Sequence, residues 1–197
     1  EYTFTLFQGQ SFQDGEPLTT EDVAFTIDYF EKYPPVTNSL GAGESFLIES
    51  CSIVDDYTIT ITVKQADADT LSNLGSFVIL PKHIWENIDD PYTYSGPDCL
   101  VGSGAYMCTG YEGAAGSYEF TAFDGWVNGK QAARRILFVP VSDELLAFEN
   151  GEIDIASMPA DLKDKYMGDE SLGFVEKAND MGYKLLINFE RLPEFLD

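Results

Sequence analysis

Apolar and polar side chains alternate at the start of the chain. The run Tyr2–Leu6 places an aromatic or aliphatic residue at every second position, with threonines between them. A period of two is the spacing of a strand that buries one face. The same alternation returns in Tyr57–Val63, which follows Ser52–Val54 and the turn-forming pair Asp55-Asp56. The pattern therefore predicts an opening strand and, later, a β-hairpin.

Between these strands the apolar positions change to helical spacing. Val23, Ile27 and Phe30 recur three or four residues apart, which predicts an amphipathic helix over residues 20–32. Thr19 stands before this run as an N-cap, and an aspartate three residues later completes a capping box. Two consecutive prolines follow the run, and they end the helix because proline cannot continue it.

A change of composition follows near the middle of the chain. Pro81 opens a short helix, and the stretch after it is rich in turn-forming residues. We therefore place a domain boundary near residues 80–98. Residues 1–80 and 81–197 are expected to form two substructures, both of mixed α/β content.

Beyond this boundary the pattern favours strands. Residues 104–108 and 118–122 predict two paired strands around a glycine-containing loop. Arg135–Val141 is apolar after its first residue, which is typical of a strand buried in a parallel sheet. A last apolar run, Lys184–Phe189, predicts a further strand near the end of the chain.

A short helix separates two of these segments. Ser142 is a candidate cap for a helix over residues 143–149, and Gly151 stands where a left-handed C-cap residue belongs. Ile153–Ile155 then predicts a strand. Together with the preceding apolar strand, this order suggests a compact βαβ crossover.

The residues after that strand are candidates for a binding site. Ala156, Ser157 and Met158 follow directly on Ile153–Ile155, at its carboxyl end. In open α/β sheets, clefts and ligands lie at that edge. A plain strand-to-helix connection before Pro159 explains the same residues, so both interpretations stay open at this point.

The charge balance limits the classes of partner. The chain has 197 residues, with 11 Lys+Arg against 34 Asp+Glu and a formal net charge of −23. So few cations cannot neutralise the phosphates of a nucleic acid, and an anionic membrane surface is disfavoured for the same reason. The acidic excess either keeps a solvated protein monomeric or concentrates cationic and zwitterionic solutes near a cleft. An apolar fraction of 44% excludes intrinsic disorder, and no run approaches the roughly 20 apolar residues of a membrane helix.

Residues with reactive or metal-binding side chains are sparse. The one histidine, His83, and the cysteines Cys51, Cys99 and Cys108 form no CxxC pair, so we expect no metal site. No GxSxG serine accompanies His83, which argues against a serine hydrolase. The cysteines either supply one disulfide, with Cys99–Cys108 as the nearest pair, or act as small buried apolar side chains. Carboxylate pairs are too frequent for any one of them to indicate acid–base catalysis. We therefore expect no enzyme activity and no cofactor.

Several segments, taken in order, resemble the extracellular solute-binding proteins of family 5, which are the oligopeptide-, dipeptide- and nickel-binding receptors of ABC importers. The resemblance rests on Phe4–Leu6, Gln13–Phe25, Asp55–Ile61, Leu80–Trp85, Val101–Tyr106 and Gly151–Ile155. It spans nearly the whole chain. Ala105 departs from the family pattern, in which a proline is common at that position.

The resemblance implies a partial type II periplasmic-binding-protein fold of the α/β class. Residues 1–80 correspond to the inserted α+β lobe and residues 81–197 to part of the first α/β lobe, while the distal lobe that clamps the ligand is absent. The chain also opens at Glu1, without Met, signal peptide or lipid-attachment cysteine, and directly in strand-like alternation. We expect it to be part of a longer polypeptide and, alone, to bind a solute weakly.

The resemblance further implies the substrate-binding component of an ABC importer. Such a protein captures a peptide or similar small polar solute and delivers it to the permease subunits. It is expected to be extracellular or periplasmic, monomeric and, at full length, anchored to the membrane as a lipoprotein. In related peptide binders two segments line the cleft, and they correspond here to Ala156, Ser157, Met158, Tyr183, Lys184, Leu185 and Leu186.

Two other classes of function stay open from the sequence. An acidic secreted hydrolase would use paired carboxylates, and turnover of peptides or glycosides would reveal it. A partner-binding module that has lost transport would keep the fold without a solute site. A neighbouring permease operon with ATPase genes would favour the receptor.

Overall fold

The computed structural model describes residues 1–175 of the chain. The chain divides into two compact units, Glu1–Pro140 and the polypeptide from Val141 onward. The first unit holds two three-stranded sheets, and the second, over its described residues, holds short helices. None of the helices in residues 1–175 is long and apolar enough to cross a bilayer.

The first sheet is antiparallel, with its strands in the order β1-β3-β2. These strands are β1 (Tyr2–Thr5), β2 (Ile48–Asp55) and β3 (Thr58–Val63). Along β3 the alternation of the sequence becomes an alternation of burial, since Ile59, Ile61 and Val63 are buried and the threonines between them are half-buried. The predicted opening strand and hairpin are confirmed, although β2 begins at Ile48 and not at Ser52.

The first helix, α1 (Thr20–Lys32), packs against this sheet, and its bounds agree with the spacing of the apolar residues. Thr19 is its N-cap. The carboxylate of Asp22 accepts the Thr19 N–H at 2.9 Å, so the predicted capping box is present. The apolar side chains that α1 buries in the core include Val23, Ile27 and Phe30.

An apolar cavity of about 140 Å³, partly open to solvent, borders this core. Its walls are residues of β1, β3 and α1, together with Leu6 and the segment 74–79. Two short helices flank the cavity segment in the sequence, α2 (Thr70–Leu74) and α3 (Lys82–Trp85), and α3 follows Pro81 as predicted.

The second sheet has the order β4-β5-β6, and both pairings are antiparallel. Its strands are β4 (Tyr106–Glu112), β5 (Ser117–Ala122) and β6 (Arg135–Phe138). The hairpin of β4 and β5 confirms the predicted pair of strands. Gly116 precedes β5 with φ of +70°, a left-handed conformation that glycine adopts without steric cost.

The strand predicted over Arg135–Val141 was wrong in direction and in burial. β6 ends at Phe138 and pairs antiparallel with β5, with Phe120 opposite Ile136. Leu137 and Phe138 are 50% and 57% exposed. A run of apolar residues indicates that a strand has apolar faces, but it records neither the direction of the neighbouring strand nor what covers those faces.

The second unit contains α4 (Glu144–Glu149) and α5 (Lys163–Tyr166), with a single 3₁₀ turn directly before α5. The cap of α4 is Asp143, whose carboxylate accepts the Leu146 N–H at 3.0 Å, and not Ser142 as predicted. Aspartate and serine are equivalent caps, so the pattern could not separate two neighbouring candidates. Gly151 has φ of +71°, which confirms the left-handed conformation expected there.

The strand predicted at Ile153–Ile155 is absent, because these residues form bends and irregular chain. The predicted βαβ crossover is therefore also absent from residues 1–175, since a crossover needs two parallel strands in one sheet. β-Branched residues favour a strand, but the fold also requires a neighbour to bond with, and none of the strands in residues 1–175 pairs with this segment. The strand predicted at Lys184–Phe189 lies outside the described residues.

The two compact units divide after Pro140, whereas the composition led us to expect a boundary near residues 80–98. Backbone on the two sides of that stretch is directly hydrogen-bonded, since the Gln13 N–H donates to the Gly102 carbonyl at 2.9 Å. The assignment of residues 1–80 and 81–197 to two lobes of a complete protein stays a prediction.

The cavity predicts a stabilising substitution. Val23 borders it, so Val23→Ile adds a methyl group to empty apolar space and should raise the free energy of unfolding by about 0.5–1 kcal/mol. Val36→Ile is the matched control, because Val36 is 103% exposed and should give no measurable change. Urea denaturation of the two variants measures the difference, and a destabilised Val23→Ile would show that the cavity cannot accept the group.

Candidate functional site

The predicted cleft residues Ala156, Ser157 and Met158 lie between α4 and α5, in a segment without regular secondary structure. Ser157 is exposed, and its two neighbours are half-buried. They do not stand at the end of a strand, so the argument from a strand's carboxyl end does not apply to them, and their selection rests on the family resemblance. The other predicted cleft residues, Tyr183, Lys184, Leu185 and Leu186, lie outside the described residues.

This segment is held by a residue in the first turn of α4. The Ser157 N–H donates to the carboxylate Oε1 of Glu144 at 2.7 Å. Asp143, the cap of the same helix, fixes that turn by accepting the Leu146 N–H. Because the Glu144 carboxylate is charged, its bond with the Ser157 N–H is about twice as strong as a bond between neutral groups. Glu144 therefore sets the path of the backbone at Ser157.

The two helices of this unit are also joined to each other, through the last residue of α4. Lys165 and Tyr166 of α5 both donate to the carboxylate of Glu149, the last residue of α4, with the Tyr166 hydroxyl at 2.6 Å. The Lys165 hydrogen bond, followed by the Tyr166 hydrogen bond, lowers the pKa of Glu149 below its ordinary value. Glu144 and Glu149 thus anchor opposite sides of the loop that carries the candidate residues.

A second group of contacts lies at the start of α1, in the first unit. Thr20 is fully buried, and it donates through its N–H to the Asp56 carbonyl at 2.9 Å and through its Oγ1 to the Asp55 carbonyl at 2.7 Å. These two bonds tie the helix to the β2–β3 turn. They connect two of the segments on which the family resemblance rests.

The same turn of α1 binds a third segment. Asp22 is 6% exposed, and its Oδ1 accepts the Lys82 N–H at 3.0 Å while its Oδ2 accepts the Thr19 N–H. One helical turn later, Thr26 is fully buried, and its Oγ1 accepts the Leu80 N–H at 2.8 Å. Two buried side chains of α1, Asp22 and Thr26, therefore bind the backbone on the two sides of Pro81.

Gln13 binds the fourth segment. Its side-chain Nε2 donates to the carbonyls of Gly104 at 3.2 Å and Tyr106 at 2.9 Å, and its Oε1 accepts the Gly102 N–H at 3.3 Å. Gln131 completes the arrangement from the other side by donating to the Ala105 and Phe123 carbonyls at 2.9 and 2.8 Å. Two glutamine amides thus hold the loop that leads into β4.

We call the contacts of Gln13, Thr20, Asp22 and Thr26 the α1 junction. Sequence reasoning identified each segment that meets there but not their meeting. The capping box was a visible signal for Thr19 and Asp22. For Gln13 there was no signal, since a glutamine in a turn is ordinary and its partners lie about ninety residues away.

The reactive side chains make none of the hydrogen bonds of the α1 junction or of the loop that carries Ala156–Met158. The Nε2 of His83 lies 2.8 Å from the Asp14 carboxylate, at the surface, and its ring meets Phe12 edge-on. Cys51, Cys99 and Cys108 are free and half-buried, so neither a disulfide nor full burial applies to them. In residues 1–175 no three Asp, Glu, His or Cys side chains are grouped as a metal site would need.

Comparison with known proteins gives one family. The family model of the bacterial extracellular solute-binding proteins, family 5, matches residues 1–195. The dipeptide-binding protein DppE of Bacillus subtilis is 22% identical over 207 residues, which cover 96% of this chain and 38% of that protein. The chain therefore spans little more than a third of the length of this relative.

Solved structures agree. The ABC transporter substrate-binding protein CtaP of Listeria monocytogenes has a TM-score of 0.71 at 25% identity, over 85% of this chain and 35% of its own. NikZ of Campylobacter jejuni, solved with Ni(L-His), has a TM-score of 0.68 at 25% identity, over 86% of this chain and 34% of its own.

The α1 junction predicts the effect of a nearly isosteric change. Gln13→Glu places a carboxylate against two carbonyl oxygens that now receive N–H groups, so it should lower the free energy of unfolding by about 2–3 kcal/mol. Acidification, which protonates the new carboxyl, should recover part of the loss. Gln8→Glu, at an exposed position, is the control. Equal stability of the two variants in urea denaturation at neutral pH would refute the role given to Gln13.

The Glu144 contact predicts a local change in hydrogen exchange. Glu144→Ala removes the acceptor of the Ser157 N–H, so this amide should exchange about tenfold faster or more, whereas Glu144→Gln keeps an acceptor oxygen and should preserve most of the protection. Glu152→Ala, on the same loop, should leave the Ser157 amide unchanged. Protection that survives Glu144→Ala would mean that another group holds the segment.

Proposed function

Because the chain belongs to the bacterial extracellular solute-binding proteins, family 5, we propose that it is part of the binding component of an ABC importer. The complete protein captures a peptide or similar small polar solute outside the membrane and delivers it to the permease subunits. The observation that carries this proposal is the family match over residues 1–195, joined to the fold likeness with solved substrate-binding proteins.

The fold is the type II periplasmic-binding-protein fold, present in part. Within it we assign residues 1–80 to the inserted α+β lobe and residues 81–197 to part of the first α/β lobe. The distal lobe, which clamps the ligand by hinge closure, lies in further polypeptide of the complete protein. The share of its relatives that this chain spans supports this assignment.

The proposed cleft wall has two parts, Ala156–Met158 and Tyr183–Leu186. Two features of the first part support this assignment: Ala156 and Ser157 are small, which leaves room for a ligand, and the Glu144 bond holds the backbone at Ser157. A preformed backbone reduces the entropy that binding must overcome. The second part follows from the family resemblance alone.

Peptides are the solute class that we favour, with the nickel chelate as the second candidate. A relative is named as a dipeptide-binding protein, and a structural neighbour was solved with Ni(L-His). The net charge of −23 favours a zwitterionic or cationic solute over an anionic one, and it opposes self-association, which agrees with a monomer.

We propose binding without turnover. The relatives are named as binding proteins, and the surface pair of His83 and Asp14 offers no nucleophile that would make it a catalytic group. The description of the family as extracellular supports a location outside the cytoplasmic membrane. Anchoring of the complete protein by a lipid is a further part of the proposal.

The cleft assignment predicts a loss of binding. In the full-length protein, Ser157→Trp fills the floor of the pocket and should weaken the binding of a peptide at least tenfold. Calorimetry with a mixture of short peptides, followed by the tightest single peptide, measures the change. Ser72→Trp, at an exposed position of α2, is the control and should bind as the wild type does.

The isolated chain 1–197 gives the complementary test. Half a cleft buries less of the ligand, so its affinity should fall to millimolar or weaker, although the complete protein binds tightly. A chain 1–197 that matches the full-length affinity would place the site elsewhere. A full-length protein that binds no peptide but retains a nickel chelate would replace the solute class and keep the fold.

A further inference from the structure

Aromatic rings from α1, from α3 and from the segment after α3 form a connected cluster. Trp85 of α3 contacts the ring of Tyr29 edge-on at a centroid distance of 6.0 Å and the ring of Tyr94 edge-on at 6.1 Å. Both distances lie within the range of ordinary aromatic packing. The two tyrosines therefore contact the same indole, but their hydroxyl groups have different hydrogen-bond partners.

The indole N–H of Trp85 is the first unusual group in this cluster. Its Nε1 is buried and has no hydrogen-bond partner among residues 1–175, whereas buried polar groups almost always have one. An indole that loses one electron becomes acidic at this nitrogen, but without an acceptor the proton cannot leave. The oxidised Trp85 ring therefore keeps its positive charge, which makes it a stronger oxidant of a neighbouring ring.

The two neighbouring tyrosines differ as sources of an electron, because a phenol gives up an electron readily only when its proton leaves at the same time. The Tyr94 hydroxyl donates to the carboxylate Oδ1 of Asp98 at 2.5 Å. The Tyr29 hydroxyl donates to the Ile88 carbonyl at 3.3 Å, and a carbonyl oxygen is a far weaker base than a carboxylate. Only the Tyr94 phenol therefore has a base placed to take its proton.

Burial and charge favour the same tyrosine. The hydrogen bond to Asp98 raises the pKa of Tyr94 to about 12, so at neutral pH the phenol holds its proton and donates it to the carboxylate. Tyr94 is half-buried, which leaves part of it open to small solutes. Tyr29 is 9% exposed, and its burial raises its pKa above the ordinary value, so its proton is also harder to lose to solvent.

We propose that Trp85, Tyr94 and Asp98 form a relay that transfers an oxidising equivalent from the indole to the phenol. A one-electron radical oxidant takes an electron from the Trp85 indole and is itself reduced. Tyr94 then gives one electron to the indole cation while its phenolic proton moves to the Asp98 carboxylate. The indole is restored, and the products are a neutral tyrosyl radical and a neutral carboxyl group. A small reductant such as ascorbate then returns the electron, and Asp98 returns the proton.

Pulse radiolysis of the full-length protein with azide radicals tests the relay directly. The azide radical is uncharged, so the acidic protein does not repel it, and it becomes azide ion when it oxidises an indole. Trp85→Phe is the reference, since the difference between wild type and this variant separates the Trp85 signal from that of Trp126 and of any other indole. The absorption of the Trp85 radical should decay as that of a tyrosyl radical rises, at a rate independent of protein concentration. A wild type that behaves as Trp85→Phe does, or a rate that increases with protein concentration, would overturn the proposal.

Two conservative variants test the partners of the indole. Tyr94→Phe keeps a ring beside Trp85 but removes the O–H group, so the indole radical should live at least tenfold longer. Asp98→Asn keeps an acceptor oxygen of similar shape but replaces the base by an amide, so the transfer should slow at least tenfold. Tyr92→Phe is the matched control and should leave the rate unchanged, because Tyr92 packs on Tyr33 and not on Trp85. A wild-type rate in either Tyr94→Phe or Asp98→Asn would contradict the relay.

The oxidation products give a second measurement. After the same dose of radicals in the presence of ascorbate, mass spectrometry should find several-fold more oxidised Trp85 in Tyr94→Phe and Asp98→Asn than in the wild type or Tyr92→Phe. Packing alone predicts equal oxidation in the four proteins, and that result would refute a protective relay. Peptide affinity is measured separately, so failure here leaves the proposed transport function unaffected.

Discussion

The buried carboxylate of Asp22 is the constraint on which the first unit depends. A carboxylate removed from water is costly unless hydrogen-bond donors replace its hydration. Here the donors are the N–H and Oγ1 groups of Thr19 and the N–H of Lys82, in the first turn of α1, where the helix dipole also favours a negative charge. The Asp22 carboxylate therefore both caps the start of α1 and holds the backbone after Pro81.

Other contacts extend this arrangement to the rest of the unit. Thr20 bonds to the β2–β3 turn, Thr26 bonds to the backbone at Leu80, and Gln13 bonds to the loop that leads into β4. Each is a side chain that supplies a partner to backbone groups far away in sequence, where no regular sheet or helix supplies one. Four of the six segments on which the family resemblance rests therefore bond to one another. The family resemblance of this region reflects the geometry of the fold.

Sequence patterns correctly predicted the elements that interactions between neighbouring residues determine. The alternation in β3 and the capping box of α1 gave correct elements because the side-chain period and the helix cap are properties of a few neighbouring residues. The direction of β6 could not be predicted in this way, since it depends on β5. Ile153–Ile155 shows the same limit, because its residues favour a strand but have no described neighbour to pair with. Of the candidate site, the sequence could name Ala156–Met158, but not Glu144, which holds Ser157 through a loop contact.

Native-state hydrogen exchange of the full-length protein is the most direct measurement of the α1 junction. The amides of Gln13, Thr20, Leu80 and Lys82 each donate to a partner in another segment. If the junction is one cooperative structure, these amides should open with a common free energy, within about 1 kcal/mol, and with a common dependence on denaturant. Separate opening of the Gln13 and Lys82 amides, by fluctuations that denaturant does not affect, would show that the segments are held independently and would contradict this central claim.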